Sequence, residues 1–239
     1  IHLSGAIFED FSYNVHGYPG LFVSKEDFKI PEDWFRGVFV DPGSRKPHTV
    51  VFAAWSPEGE LFIYDGFRVG TDKYDPKGFR DIVLCSPGEK MQALIREIKK
   101  REPEPNVYYC DPAAQSPSQD EVSMYDELMI HFPMDKWPKV KDKAAESVDP
   151  LAKLMLQDPK TGKPNFFINK KLSRAIWEIE RYRWDEYRGV SRDQNDPKPK
   201  PIYKDDDYVD CIMAAAMLPP PSLSGIDITL PEPEIFYDY

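Results

Sequence analysis

A chain of 239 residues with 41% apolar and 30% charged residues can bury a sizeable core and is neither a disordered nor a membrane-spanning composition. Three scattered cysteines, Cys85, Cys110 and Cys211, show no CxxC spacing, which excludes a disulfide framework and fits a reducing cytoplasm. The formal charge of −10 argues mildly against a nucleic-acid binder, which usually shows phosphates a basic face, although an acidic metal site would lower the total without changing the rest of the surface. No stretch resembles a signal peptide, and none reaches the run of about 18 apolar residues that a membrane helix needs. The missing initiator Met points to a fragment of a longer protein or to trimming. The 24 prolines lie mostly between periodic segments and predict rigid loops.

Residues 1–33 are aromatic and proline-rich without a clear period, and predict an extended arm or linker packed on the domain that follows. WFRGVFVDPG, residues 34–43, is an apolar strand stopped by Asp-Pro-Gly. HTVVFAAWSPEGELFIYDGFRV, residues 48–69, is two β-rich runs around Ser-Pro-Glu-Gly. Together they predict a three-stranded antiparallel meander with its first strand central. PGEKMQALIREIKK, residues 87–100, is helical, with Met91, Leu94, Ile95 and Ile98 on one face. NVYYCDP is a short strand ending at Asp111-Pro112, followed by a helix around Gln119–Met129 and a short run near Ile130–Phe132. Residues 141–159 are helical with a possible break at Pro150, and NFFIN is a brief strand. KLSRAIWEIERYRWDEY, residues 171–187, is amphipathic, with Leu172, Ile176, Ile179 and Tyr182 or Arg183 on one stripe. A polar proline-laced loop, 189–204, leads to a last helix from about Asp206 to Leu218, and an acidic aromatic tail, 219–239, closes the chain. This order predicts an α/β domain over 34–218 with a mixed sheet, the meander extended by parallel strands, and helices on both faces.

Three acidic positions share a setting. Asp41 ends the first strand, Asp111 ends the fourth, and Asp206, Asp207 and Asp210 open the last helix. Ligands of open α/β sheets gather beyond the carboxyl ends of strands. Asp207 and Asp210, spaced i, i+3, share a helix face, and so roughly do Asp206 and Asp210. The helix N-terminus favours each anion by only about 0.3–1 kcal/mol, too little to cancel this crowding. A divalent cation would cancel it, and carboxylates with few histidines suit Mg²⁺ or Mn²⁺ rather than Zn²⁺. Two such ions would stabilise the attacking and leaving oxygens of a phosphodiester displacement. Singly, each aspartate reads as a turn, a cap or a solvated face; the combination and its order point to a site.

The stretches GVFVDPG, VYYCDPA and DDDYVDCIMAAAM, with KVKDKAAESVDPLAKLM and LSRAIWEIERYRW between them, resemble the nuclease domain of the large terminase subunit of tailed bacteriophages, a member of the RNase H-like nucleases. The resemblance covers residues 1–218. It implies an RNase H-like fold and a metal-dependent endonuclease that cuts concatemeric double-stranded DNA during packaging in the cytoplasm of the infected bacterium. It further implies that Asp41 bridges two metals, Asp111 holds one and Asp207 the other, with Asp206 and Asp210 in support. Where the family often has His this chain has Asp, which leaves the inner ligand open between Asp206 and Asp207, and Cys211 replaces the usual small Ala. Large terminases also carry a packaging ATPase. No GxxxxGK(S/T) loop is present here, which implies an isolated nuclease piece or a motor on another chain, with portal and small terminase as partners.

Candidate phosphate contacts are Lys198, Lys200 and Lys204 in the loop beside the acidic helix, Arg45, Lys46 and His48 after Asp41, and Lys136, Lys139, Lys141 and Lys143 around Trp137. Two other readings stay open. One keeps the fold but makes the protein a Holliday-junction resolvase or transposase-like nuclease. The other makes it a catalytically silent acidic module of a packaging motor, docking through EIFYDY.

Overall fold

The computed structural model describes residues 5–18, 30–71, 73, 77–79, 81–101, 104–115, 122–141, 144–184, 201–202 and 204–220. Lys143, Lys198, Lys200 and residues 221–239 lie outside that set.

The meander forms as the apolar runs dictate. β2 (Phe35–Asp41), β3 (His48–Trp55) and β4 (Leu61–Gly70) pair antiparallel, and Gly59 at φ +90 turns the chain between the last two. These strands are buried on both faces, so they read as continuous apolar runs rather than as alternation. The period of two still decides which core each side chain enters. Val38, Val40, Val50 and Phe52 belong to one apolar cluster, and Phe39, Val51, Ala53 and Trp55 to the other. β6 (Val107–Cys110) adds parallel to β2, and β7 (Met134–Lys136) adds parallel to β6. On the other side β8 (Phe166–Asn169) pairs parallel with β4, and β1 (Gly17–Tyr18) pairs parallel with β8. A short β5 (Ile82–Leu84) joins the far end of β4, completing a mixed sheet of eight strands. The first meander strand is interior, flanked by β3 and β6, as the sequence predicts.

One face is covered by α2 (Lys90–Lys99), which buries Met91, Leu94, Ile95 and Ile98, together with α3 (Met124–Met129). The opposite face is covered by α4 (Asp149–Met155), α5 (Ser173–Arg181) and α6 (Asp207–Met217). α6 is apolar around most of its circumference because it packs on β2 and β3 while touching α4 and α5. Its approach to the sheet is close. A Cβ at Gly66 would lie 3.0 Å from the Val50 carbonyl oxygen and 3.1 Å from Tyr208 Cε1. No helix among the described residues is long and apolar enough to cross a membrane.

Several elements depart from the sequence pattern. Within the arm, α1 (Tyr13–His16) forms one turn and leads into β1, and Phe8 stacks on Tyr182. The run near Ile130–Phe132 is not a strand. His131 and Phe132 extend the α3 turn by bonding the Leu128 carbonyl, and the strand follows Pro133. α3 begins only at Met124, where Ser123 caps it by accepting the Asp126 N–H. Pro150 does not break a helix but sits in the first turn of α4, after a π-helical turn over Ala144–Val148. α5 stops at Arg181 because Tyr182 and Trp184 bond back to residues 5–7 in extended form.

Ala215 is fully buried where α6 meets its neighbours. Ala215→Leu should destabilise the fold by about 1–3 kcal/mol through overpacking, read as a lower denaturant midpoint at unchanged m-value.

Candidate active site

The sheet itself brings the first two aspartates together. Val40 pairs with Cys110 in the parallel β2–β6 ladder, and the Asp111 N–H donates to the Val40 carbonyl at 3.0 Å. Asp41 and Asp111 therefore stand side by side at the carboxyl ends of neighbouring strands. Asp41 shares the parity of Phe39, so it faces the α6 layer, where Asp207 is the first helical residue. Burial, followed by the charges of Asp207, Asp111 and Asp210, pushes the Asp41 carboxyl up from 3.8 to about 8, with Lys46 opposing. The same three carboxylates lie close enough to act on Asp41.

The three consecutive aspartates point to three different partners or settings. Asp205 adopts φ +56, a left-handed conformation that non-glycine residues rarely take, and accepts from Arg174 Nη2 at 2.9 Å. Asp206 is buried, and its carbonyl accepts the Asp210 N–H at 2.8 Å. Asp207, 8% exposed, accepts from Lys46 Nζ at 2.6 Å and weighs more on Asp41 than any other single charge.

Behind the carboxylates lies a buried polar layer that sequence reasoning did not identify. Glu178 Oε2 accepts the Tyr208 N–H at 2.8 Å, and Glu178 Oε1 accepts from Arg174 Nε at 2.7 Å. Burial pushes the Glu178 pKa up, against Arg174 and the Tyr208 N–H. Both its oxygens accept bonds from N–H donors, which is the arrangement of a carboxylate. The Tyr208 hydroxyl donates to Asp81 Oδ2 at 2.8 Å, and Arg68 grips Asp81 with two bonds of 2.8 Å. A signal for Glu178 was present. It sits at i, i+3 from Ala175 and beside Ile179, on the apolar stripe of α5, where a charge must find a buried partner.

The loop after Asp41 doubles back tightly. A Cβ at Gly43 would come within 2.6 Å of the Pro47 carbonyl oxygen. Lys90 Nζ donates to the carbonyls of Gly43 at 2.8 Å, Ser44 at 3.2 Å and Lys46 at 2.8 Å. This tether directs the Lys46 side chain over Asp207. Burial disfavours the Lys46 charge, but the hydrogen bond to Asp207 and the fields of Asp207, Asp41 and Asp206 outweigh it and raise the pKa. The lysine is 60% exposed, so its ion pair adds little stability by itself. Of the other predicted cations, Arg45, Lys139, Lys141 and Lys204 are exposed, and Lys136 bonds Gln115 at 2.6 Å. His48 is not beside Asp41. It has the parity of Val50 and lies on the α2 face, where burial and then Lys90 lower its pKa to about 3, leaving it neutral.

A hard divalent cation fits this donor set, which offers carboxylate oxygens and no histidine. Thr49, directly opposite Asp41 in the β2–β3 ladder, has its hydroxyl buried without a hydrogen-bond partner. On Asp207 the Lys46 ammonium stands in for a cation. Among the described residues no three His, Cys, Asp or Glu side chains are closed to metal-site spacing.

The same architecture occurs in solved phage large terminases. The large terminase of a thermophilic bacteriophage aligns with a TM-score of 0.58 at 18% identity, over 89% of this chain and 44% of that one. The nuclease domain of the P22 large terminase aligns with a TM-score of 0.58 at 15% identity, over 90% of this chain and 92% of that domain. The chain has the fold of the large-terminase nuclease domain. It is thus an RNase H-like mixed α/β fold, as the sequence resemblance implies. The large terminase nuclease of thermophilic phage G20c, solved with bound cobalt and with bound magnesium, aligns with a TM-score of 0.50 over 90% of this chain and 98% of that one, at 11% and 12% identity. The chain spans less than half the length of the first of these terminases. No family model and no curated protein matches it.

Stability should respond to the site's charges in two opposite ways. Because the folded pKa of Asp41 lies above its ordinary value, the folded state loses stability as pH rises from about 4 to about 8 and does not regain it above. In metal-free buffer Asp41→Asn should therefore flatten that fall and melt several degrees higher than the wild type at pH 8.5, measured by calorimetry. Glu178→Gln should act oppositely. It removes the buried anion of Arg174 and leaves the more exposed Asp205 to pair with it, at a cost of about 1.5–3 kcal/mol, visible as a lower melting temperature between pH 6 and 9.

Proposed function

We propose that the chain is the nuclease of a phage DNA-packaging terminase, a divalent-metal-dependent endodeoxyribonuclease that hydrolyses phosphodiesters of concatemeric double-stranded DNA. The observation that supports this reading is that Asp41 and Asp111 end neighbouring parallel strands and Asp207 opens the helix packed over that face of the sheet. In this reading Asp41, Asp111 and Asp207 would hold the divalent metal, with Asp206 and Asp210 in support. Bound there, Mg²⁺ or Mn²⁺ would supply Lewis-acid stabilisation of the charge developing on the attacking and leaving oxygens. The G20c nuclease, with bound cobalt and magnesium, supports that choice of ion.

The remaining work falls to the chain's own groups. Lys46, paired with Asp207 and mostly exposed, is placed to offer its ammonium to a phosphate oxygen. Glu178 and Arg174 fix the backbone from Asp205 to Tyr208, so the carboxylates do not drift when the charge between them changes. Arg45, Lys139, Lys141 and Lys204, with Lys198 and Lys200, are the proposed backbone-phosphate contacts, positioning the duplex without reading bases. The packaging ATPase, the portal and the small terminase are the proposed partners, and the cytoplasm of the infected bacterium the proposed location.

Incubation with supercoiled plasmid in Mn²⁺ should give cleavage that Asp41→Asn, Asp111→Asn and Asp207→Asn each reduce at least about a hundredfold, as loss of an electrostatic catalytic group does. Mn²⁺ should also raise the melting temperature of the wild type and not of Asp41→Asn, a readout independent of turnover. Undiminished cleavage by Asp41→Asn would refute the assignment, and a preference for branched over linear duplex would favour the junction-resolving reading.

A further inference from the structure

Beside the acidic cluster, toward β7, the surface opens into a cavity of about 440 Å³. Pro112 and Ala113, from the 3₁₀ turn after Asp111, form one wall. Trp137 and Pro138 form a second, and Met213 and Met217 of α6 a third. Asp111 and Asp210 stand at its acidic end, and Lys139 and Ser147 also border it. The nuclease reading uses the two carboxylates and leaves the apolar remainder unexplained.

The walls are built as extensions of the sheet. Trp137 N–H donates to the Cys110 carbonyl at 3.2 Å, and Ala113 N–H donates to Asp111 Oδ1 at 2.6 Å. The cavity's size falls within the range of small-ligand sites, and its lining is mostly apolar with a few polar groups, as such sites are. Pro112, Pro138 and Met217 offer flat or adaptable apolar surface to a planar ring, backed by the largely buried Trp137 and Met213. Lys139 is exposed, which leaves its ammonium available to a phosphate outside.

We propose that this cavity receives one unstacked nucleoside of a DNA strand whose adjoining phosphate lies at Asp111 and Asp210. The proposal rests on the reading of the acidic cluster as a phosphodiester site. The cavity and the cluster share Asp111 and Asp210, so a phosphate held at the carboxylates has its neighbouring sugar and base at the cavity mouth. A base stacked in a duplex cannot enter; it must leave the stack first, at a cost that is smallest where it is unpaired. The apolar walls then set a preference for frayed, mismatched or single-stranded positions, independent of sequence because every base offers a π-face.

Saturation-transfer NMR on the intact chain, with deoxyadenosine and with deoxyribose 5-phosphate as probes, tests the cavity without requiring cleavage. Deoxyadenosine H2 and H8 should receive saturation, deoxyribose 5-phosphate should receive none, and Ala113→Trp and Pro138→Trp should each weaken the nucleoside signal at least about tenfold, the scale of a lost stacking contact. Both positions are exposed, so an indole can fill the mouth without entering the core, and melting temperatures confirm that each variant is folded. In Mn²⁺ the wild type should cut a duplex at an unpaired base about tenfold faster than the fully paired duplex, and Ala113→Trp should lose that preference. Base-proton saturation without cleavage of any DNA would keep the cavity and overturn the nuclease reading. Absent saturation, equal saturation in both variants, or equal rates on paired and unpaired DNA would overturn the cavity assignment.

Discussion

The hydrogen bond from the Tyr208 N–H to Glu178 fixes the end of α6 that bears the aspartates. Like charges at Asp41, Asp111, Asp207 and Asp210 push apart, and a helix N-terminus returns only about 0.3–1 kcal/mol per anion. A hydrogen bond to a charged group contributes about 1.5–3 kcal/mol, and Glu178 accepts two such bonds while Arg174 reaches on to Asp205. α6 is thus held by one buried carboxylate so that others can be crowded at its tip. The left-handed Asp205 fits that arrangement, since a sparsely populated backbone conformation persists only where surrounding contacts over-determine it.

The clamp also separates two tasks that an acidic site would otherwise mix. Glu178, Asp81, Arg68 and Arg174 are satisfied within the protein, and their charges are balanced in pairs. Acting on Asp41 are three carboxylates and Lys46, which is mostly exposed and reaches in from a tethered loop. A balanced layer costs little when the ionic conditions change, whereas an unbalanced one holds free energy that a cation can recover. This division lets carboxylates of both kinds meet the first turn of α6, Glu178 and Asp81 through Tyr208 and the others through Asp207 and Asp210.

Much of this was legible in the sequence, for identifiable reasons. The meander, α2, β6, β8 and α6 were readable because their apolar residues follow one period over a full element, and Asp41 and Asp111 because each ends such a run before a proline. β1 and β5 were not readable: two or three residues leave no period to detect, and their pairing depends on partners distant in the chain. The end of α5 was missed because residues 182–187 continue the helical pattern, and only contact with residues 5–7 pulls the chain away. Glu178 was hidden by its neighbours, since a single charge in an amphipathic helix is usually solvated. The sequence left the inner ligand open between Asp206 and Asp207 and gave Asp205 no separate role. What separates them is a backbone torsion and two partners, Arg174 and Lys46, that lie 31 and 161 residues away from Asp205 and Asp207.

The net charge of −10 now has a spatial meaning. Several of the acids that make up the total are consumed in internal pairs or concentrated at the sheet edge, while Arg45, Lys139, Lys141 and Lys204 remain exposed. A phosphate backbone responds to the local field within about one Debye length, roughly 8 Å at physiological salt, and not to the sum over the molecule. In the proposed reading the same acids that repel a phosphate backbone would draw in the cations that reverse the local charge. Approach of the strand and occupancy of the metal site are then one coupled equilibrium rather than two, and a duplex meets a permissive surface only when the carboxylates already have their counter-ions.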